Sequence, residues 1–161
     1  MSRATVYLDT SVVSYLVAGP TADAVNTARV TATREWWATI RPKTSVVVYS
    51  AVIAEISAGA PDMAAKRLAV VSDIAVLAST VDIERLTDLL LRKGLVPPKA
   101  AFDAAHLAFA SCHEVDFLLT WNYRHLANPF ILRQVRKLLL LYGRTAPEVI
   151  TPEQMLKGFE L

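Results

Sequence analysis

Thr5-Val6-Tyr7-Leu8-Asp9-Thr10-Ser11 is the stretch whose reading decides the fold. Its first four residues are β-branched, aromatic or aliphatic, the side chains that suit a pleated strand, and the run stops at an acid followed by two hydroxyl residues. Val12 to Val17 then supplies apolar helical material up to Gly19-Pro20, a pair that interrupts regular structure. A strand, a turn and a helix in that order open a βαβ unit, and the rest of the chain repeats the alternation.

Working outward, Asp23 to Ile40 has regular apolar positions at Val25, Ala28, Ala32, Trp36 and Ile40 and ends before Pro42, which predicts a long helix. Ser45 to Tyr49 is a dense β-branched run, as a strand covered on both faces requires. Ser50 is read as the N-cap of a short helix through Glu55 that ends at Gly59-Ala60-Pro61. Met63 to Val71 predicts a helix, Ala75 to Leu77 a third strand, and Val81 to Arg92 a helix stopped by Gly94. Beyond Pro97-Pro98, Lys99 to Cys112 reads as an Ala-rich helix, Phe117 to Thr120 as a fourth strand and Phe130 to Tyr142 as a helix. Glu148 to Ile150 is a short last strand, with Pro152 in the first turn of a final helix. The expected fold class is α/β, in one domain over residues 1–161. Its central sheet, of about four to five strands, should be mainly parallel and sandwiched between helices.

The 161 residues are 53% hydrophobic, with 17 Lys+Arg against 15 Asp+Glu, which suffices for a filled core and excludes large-scale disorder. The longest uncharged stretch, Thr10 to Ala22, falls short of the roughly 18 residues of a membrane span, so no membrane association is expected. No basic region leads into a long apolar run, and the lone Cys112 lies in an Ala-rich stretch where a reduced, buried thiol is expected. Both features point to the cytoplasm. A formal charge of +2 says little about partners, but its distribution says more. From Phe117 to Pro147 there is no Asp or Glu, while Arg124, Arg133, Arg136, Lys137 and Arg144 all fall inside. A solvated helix face and an anion-binding surface both fit that block.

In an open parallel sheet, ligands gather beyond the carboxyl ends of the strands. Asp9 directly follows the first strand, Glu55 lies a turn past the second, and Thr120-Trp121-Asn122 leaves the fourth. Asp103 stands among Ala101, Phe102, Ala104, Ala105, Leu107 and Ala108, where an unpaired charge is costly to bury. A hard divalent cation held by several carboxylates compensates such a charge, and Mg²⁺ and Mn²⁺ prefer oxygen ligands. Taken singly, Asp9 serves equally well as a helix N-cap, and Asp103 as an early-helix acid answering the helix dipole. Other chemistries are absent from the pattern. The five glycines form neither a dinucleotide fingerprint nor a phosphate loop, and Ser11 stands where a haloacid-dehalogenase-like phosphatase needs a second Asp. His106, His113 and His125 make no zinc set with Cys112, and no G-x-S-x-G elbow occurs. His106, three residues after Asp103, would share its helix face as a partner of that acid, but it is read as a packed core histidine; Trp36-Trp37 is read as helix packing, and Trp121 as structural although it adjoins the site.

Taken together these residues resemble the PIN domain and, within it, the toxin-like ribonucleases of VapC type, over nearly the whole chain. Tyr7-Leu8-Asp9-Thr10-Ser11 is similar to that family's opening strand and first acid. Ser50-Ala51-Val52-Ile53-Ala54-Glu55-Ile56 is similar to the second acidic segment, and Phe102-Asp103-Ala104-Ala105-His106-Leu107-Ala108 to the third. Val115-Asp116-Phe117-Leu118-Leu119-Thr120-Trp121-Asn122 is similar to the fourth strand and its turn. Many members carry an acid where this chain has Asn122, a neutral oxygen donor, and Asp116 precedes the strand and belongs at the opposite sheet edge.

The resemblance implies a Mg²⁺- or Mn²⁺-dependent endoribonuclease acting on single-stranded or loop RNA, the toxin of a type II toxin–antitoxin pair. Asp9 and Asp103 would hold the metal, with Glu55 and Asn122 completing the catalytic set. The metal would lower the pKa of a bound water and neutralise charge on the leaving oxygen. Thr10, Ser11 and Thr120 would position water or phosphate, and Arg124, Arg133, Arg136 and Lys137 would track the RNA backbone. A homodimer is expected, with a small antitoxin protein occupying the acidic site. Val12, Val13, Tyr15, Leu16, Trp36, Trp37 and Ile40 crowd the early helices, and some of them should remain exposed as an interface. Two alternatives stand beside this reading: a PIN-fold RNA-binding or assembly module without productive metal chemistry, and a metal-dependent phosphatase or receiver-like switch using Asp9 as phosphoacceptor.

Overall fold

The computed structural model describes residues 2–159, and along them strands and helices alternate. The elements are Thr5–Leu8 (β1), Thr10–Leu16 (α1), Ala24–Thr39 (α2), Ser45–Tyr49 (β2), Ser50–Ile56 (α3), Pro61–Val70 (α4) and Ala75–Leu77 (β3). Val81–Arg92 (α5), Ala101–Cys112 (α6), Phe117–Leu119 (β4), Pro129–Leu141 (α7), Glu148–Ile150 (β5) and Pro152–Phe159 (α8) follow. Short 3-10 turns occupy Arg41–Lys43 and Pro98–Ala100.

All strand pairs are parallel, in the order β3-β2-β1-β4-β5. The chain therefore moves outward from β1 through β2 and β3, then crosses back to lay β4 on the other side of β1. That reversal makes the crevice beyond β1 and β4 the topological switch point, where parallel sheets bind ligands. Leu8 stands in register with Leu119, and the Asp9 backbone N–H donates to the Leu119 carbonyl at 3.1 Å. Asp9 and Thr120 thus emerge side by side.

Helices cover both sheet faces, because the consecutive residues Val6, Tyr7 and Leu8 point alternately to opposite faces and are all fully buried. On Tyr7's side, the Phe109 ring of α6 lies between Tyr7 and Tyr49, with centroids 4.7 and 4.6 Å away. Helix α5 packs on α6, α1 touches α2, α3 and α4, and α8 closes over α2. Trp36 pins that last contact by donating its indole N–H to the Met155 sulfur at 3.1 Å, in keeping with a packing role for the tryptophan pair.

The differences from sequence expectation are local, with one exception. Helix α1 begins at Thr10 rather than Val12, and Ser50 is the first helical residue of α3 instead of its cap, since Tyr49 holds the extended capping position. Asp23 and Ile40 prove to be the caps of α2, Asp23 accepting from Asn26 N–H at 2.7 Å. The exception concerns the early helices. Val12, Val13, Trp36 and Ile40 are buried and Tyr15, Leu16 and Trp37 partly so, because α2, α3, α4 and α8 together cover what one sheet face does not. The exposed large apolar side chains include Phe130, Leu140, Leu141 and Tyr142, in and just after α7. Cys112 is half-buried rather than enclosed.

Candidate active site

Three acids from three elements meet at the switch point. Asp9 follows β1, Glu55 lies in the last turn of the short α3 that leaves β2, and Asp103 lies in the first turn of α6. Asp9 has the extended backbone of an N-cap, but its side chain makes no capping bond. Its Oδ2 instead accepts from the hydroxyls of Ser11 and Thr120, each at 2.6 Å. Ser11 Oγ in turn accepts from the Trp121 backbone N–H at 2.9 Å, and Thr120 Oγ1 from that of Asn122 at 3.0 Å. The single proton of each hydroxyl is thereby given to Asp9, and each oxygen keeps one lone pair that can accept from water. Thr10 differs from them. Its hydroxyl is buried without a hydrogen-bond partner.

Asn122 is held on both sides of its amide. Its amide nitrogen donates to Asp103 Oδ1 at 3.0 Å, while its oxygen accepts from the His125 backbone N–H at 3.2 Å. Both bonds demand the same orientation of the amide, so the oxygen that was to serve as a neutral ligand is turned away and Asn122 steers Asp103 instead. Asp116 lies at the far edge as expected, accepting from Thr5 N–H at 2.8 Å.

At the centre lies His106, buried as a core histidine would be, yet in contact with two of the acids. Its Nε2 is 3.4 Å from Asp9 Oδ1 and 3.2 Å from Glu55 Oε1, and its Nδ1 meets the Tyr7 hydroxyl. Burial, followed by the charges of Asp9 and Glu55, holds the Tyr7 phenol well above its ordinary value, so it stays protonated. It therefore donates to Nδ1, and the proton of the neutral ring sits on Nε2, facing the carboxylates. Burial disfavours the imidazolium, but the Glu55 contact and the charges of Asp9, Glu55 and Asp103 outweigh it and raise the His106 pKa. The Asp103 pKa is also raised, first by desolvation and then by Asp9 and Glu55, against the opposing pull of His106 and His125. The three-residue spacing from Asp103 was the sequence signal for His106. The convergence of β1, α3 and α6 on it had no local signal.

The donor set suits a hard divalent cation. It is made of carboxylate oxygens that repel one another, and Glu55 Oε1 is buried with no aligned hydrogen bond beyond its charge contact with His106. As the side chains stand, no three His, Cys, Asp or Glu groups among the described residues are drawn into a ready ligand set. Asp9 and Glu55 converge on Nε2 instead.

The basic block divides. Arg124, Arg133 and Lys137 are exposed, with no carboxylate partner among the described residues. Arg136 pairs with Glu148 at 3.1 Å, and Arg144 approaches Asp82 at 3.4 Å. Glu148 opens β5 in register with Phe117, at the sheet edge opposite the acids. The contact with Glu148 engages the Arg136 charge, whereas the neighbouring Lys137 on the same helix has no such partner among the described residues.

No protein-family model and no curated protein matches the chain. Solved structures share its fold. A toxin–antitoxin complex from Klebsiella pneumoniae matches with a TM-score of 0.60 at 17% identity, over 91% of this chain and 97% of the other. VapBC2 from Rickettsia felis, bound to a DNA fragment from their promoter, matches with a TM-score of 0.57 at 13% identity, over 91% and 98%. The PIN-like α/β fold that the sequence resembles is the fold observed. No helix among the described residues is long and apolar enough to cross a membrane.

Proposed function

We propose that this chain is a Mg²⁺- or Mn²⁺-dependent endoribonuclease and the toxin of a toxin–antitoxin pair. The observation that carries the reading is the convergence of Asp9, Glu55 and Asp103, from three separate elements, on the switch-point crevice around His106. Asp9, Asp103 and Glu55 would hold the cation, which when bound supplies Lewis acidity to activate water and offset charge on the phosphate. The chain's own residues then do the orienting. Ser11 and Thr120 fix Asp9 through Oδ2 and leave Oδ1 facing His106 Nε2, while Asn122 fixes Asp103. Tyr7 and His106 form a buried relay that holds an N–H against Asp9 and Glu55 and limits their repulsion. Arg124, with Arg133 and Lys137, draws the RNA backbone toward the site. The partner we propose is a small antitoxin protein that covers the acids, and the exposed apolar end of α7 is the surface we assign to a homodimer.

One observation favours the alternative of an RNA-binding module without catalysis: the Asn122 amide already occupies Asp103 Oδ1. Mn²⁺ titration combined with cleavage of single-stranded RNA separates the two. The nuclease reading expects Mn²⁺ binding and cleavage, both abolished by Asp103→Asn in a chain that still folds. Wild-type RNA binding without Mn²⁺ binding or cleavage overturns it in favour of the module.

A further inference from the structure

Arg29, in the second turn of α2, is held against three aromatic rings. Its guanidinium carbon lies 5.9 Å from the Tyr15 centroid, 5.5 Å from Trp121 and 5.6 Å from Tyr123. All three distances fall within the roughly 6 Å at which a ring face attracts a cation. The cage is itself pinned. Arg29 donates to the Tyr15 hydroxyl at 3.1 Å, that hydroxyl donates to Asn26 at 2.9 Å, and the Trp121 indole N–H donates to Thr33 at 2.8 Å. Arg29 is only partly buried and has no carboxylate within ion-pair distance among the described residues. A guanidinium carries five N–H donors, and one of these is used.

The cage adjoins the acids through the chain itself. Thr120 and Asn122, which hold Asp9 and Asp103, alternate in sequence with the cage residues Trp121 and Tyr123. Trp121 is buried, whereas Tyr123 is 47% exposed and presents ring surface to solvent beside the free guanidinium donors.

We infer that Arg29 and Tyr123 form a subsite for one nucleotide of single-stranded RNA next to the scissile phosphate, an inference that rests on the RNA-cleaving reading. Arg29 grips non-bridging oxygens of the neighbouring phosphate, its planar fork set in advance by the rings. Tyr123 stacks the adjoining base. An acidic peptide would satisfy Arg29 and leave the tyrosine face unused, whereas a nucleotide uses both. Base stacking on a ring is tolerant of sequence, so the subsite sets where the strand lies rather than which bases it carries.

The test is anisotropy of a short fluorescein-labelled oligouridylate with the full chain in EDTA, where metal-dependent cleavage is silent. Tyr123→Ala is expected to weaken binding roughly five- to hundred-fold and Tyr123→Phe to leave it unchanged. Arg29→Gln should lower the slope of log affinity against log salt by about 0.7, while Arg29→Lys, which keeps the charge, preserves the slope. An abasic nucleotide scanned along the probe should weaken wild type at one position by the same factor, with no further loss in Tyr123→Ala. Wild-type affinity in a folded Tyr123→Ala chain, or an abasic penalty that adds in full to that variant, overturns the subsite and leaves the nuclease reading standing. A wild-type chain that binds no oligouridylate overturns both.

Discussion

Replacing Thr120 by Val keeps the shape of a fully buried side chain and removes its hydroxyl. That hydroxyl donates to Asp9 Oδ2 at 2.6 Å and accepts from Asn122 N–H at 3.0 Å. A hydrogen bond to a charged group contributes about 1.5–3 kcal/mol and a neutral one about 0.5–1.5 kcal/mol. Ser11 still donates to the same carboxylate oxygen, so the low part of the combined range applies, about 2–3 kcal/mol. For a chain of this size that corresponds to a fall in Tm of roughly 4–12 °C. Thermal melts in EDTA, followed by near-UV circular dichroism, measure it. Thr120→Ser keeps both bonds and loses one buried methyl, so it should stay within about 1 kcal/mol of wild type. Ser11→Ala combined with Thr120→Val should be non-additive, because both hydroxyls serve one oxygen. A Thr120→Val chain that melts like wild type but no longer cleaves RNA would refute the reasoning, since Thr120 would then face substrate instead of holding Asp9.

Asp103→Asn should abolish cleavage and raise Tm without metal, because burial and the charges of Asp9 and Glu55 disfavour the carboxylate it removes. A fall of several degrees in the melt would rule out crowding as the dominant effect. Asn122→Asp sets a like charge against Asp103 and loses their hydrogen bond, so it should lower Tm in EDTA and enlarge the rise on adding Mn²⁺. An unchanged Mn²⁺-induced shift would remove residue 122 from the cation's surroundings. Arg124→Gln should lower the salt slope of RNA binding by about 0.7, whereas Arg136→Gln, whose charge is engaged by Glu148, should leave it unaltered. Burial pushes the Cys112 thiol up against the opposing pull of Arg144, so little thiolate exists at pH 8 and iodoacetamide should react slowly until the chain is unfolded. Fast labelling of the native chain would contradict that.

Local chemistry made much of this protein legible. β1, β2, β3, β5 and α5 have the bounds that β-branched runs, prolines and glycines mark, because strand propensity and helix termination act within a few residues. Asp9 and Glu55 were legible too, since in a parallel sheet residues just past a strand are carried to one edge, and Asp103 stood out as an acid in an Ala-rich helix. The strand order was decided only by the tertiary structure, and most of the site's chemistry follows from that order. Placing β4 beside β1 brings the Thr120 hydroxyl onto Asp9 across 111 positions, and Tyr7 onto His106 across 99. Residues read as substrate contacts became supports for a carboxylate, and a core histidine became its neighbour. The same long-range packing buried the early apolar side chains and tied Arg136 to the far edge. It also closed three rings around Arg29, whose own sequence neighbourhood carries no aromatic residue between Asp23 and Glu35. Hydrophobic pattern states that a side chain is covered or capped by something, and only the packed chain states by what.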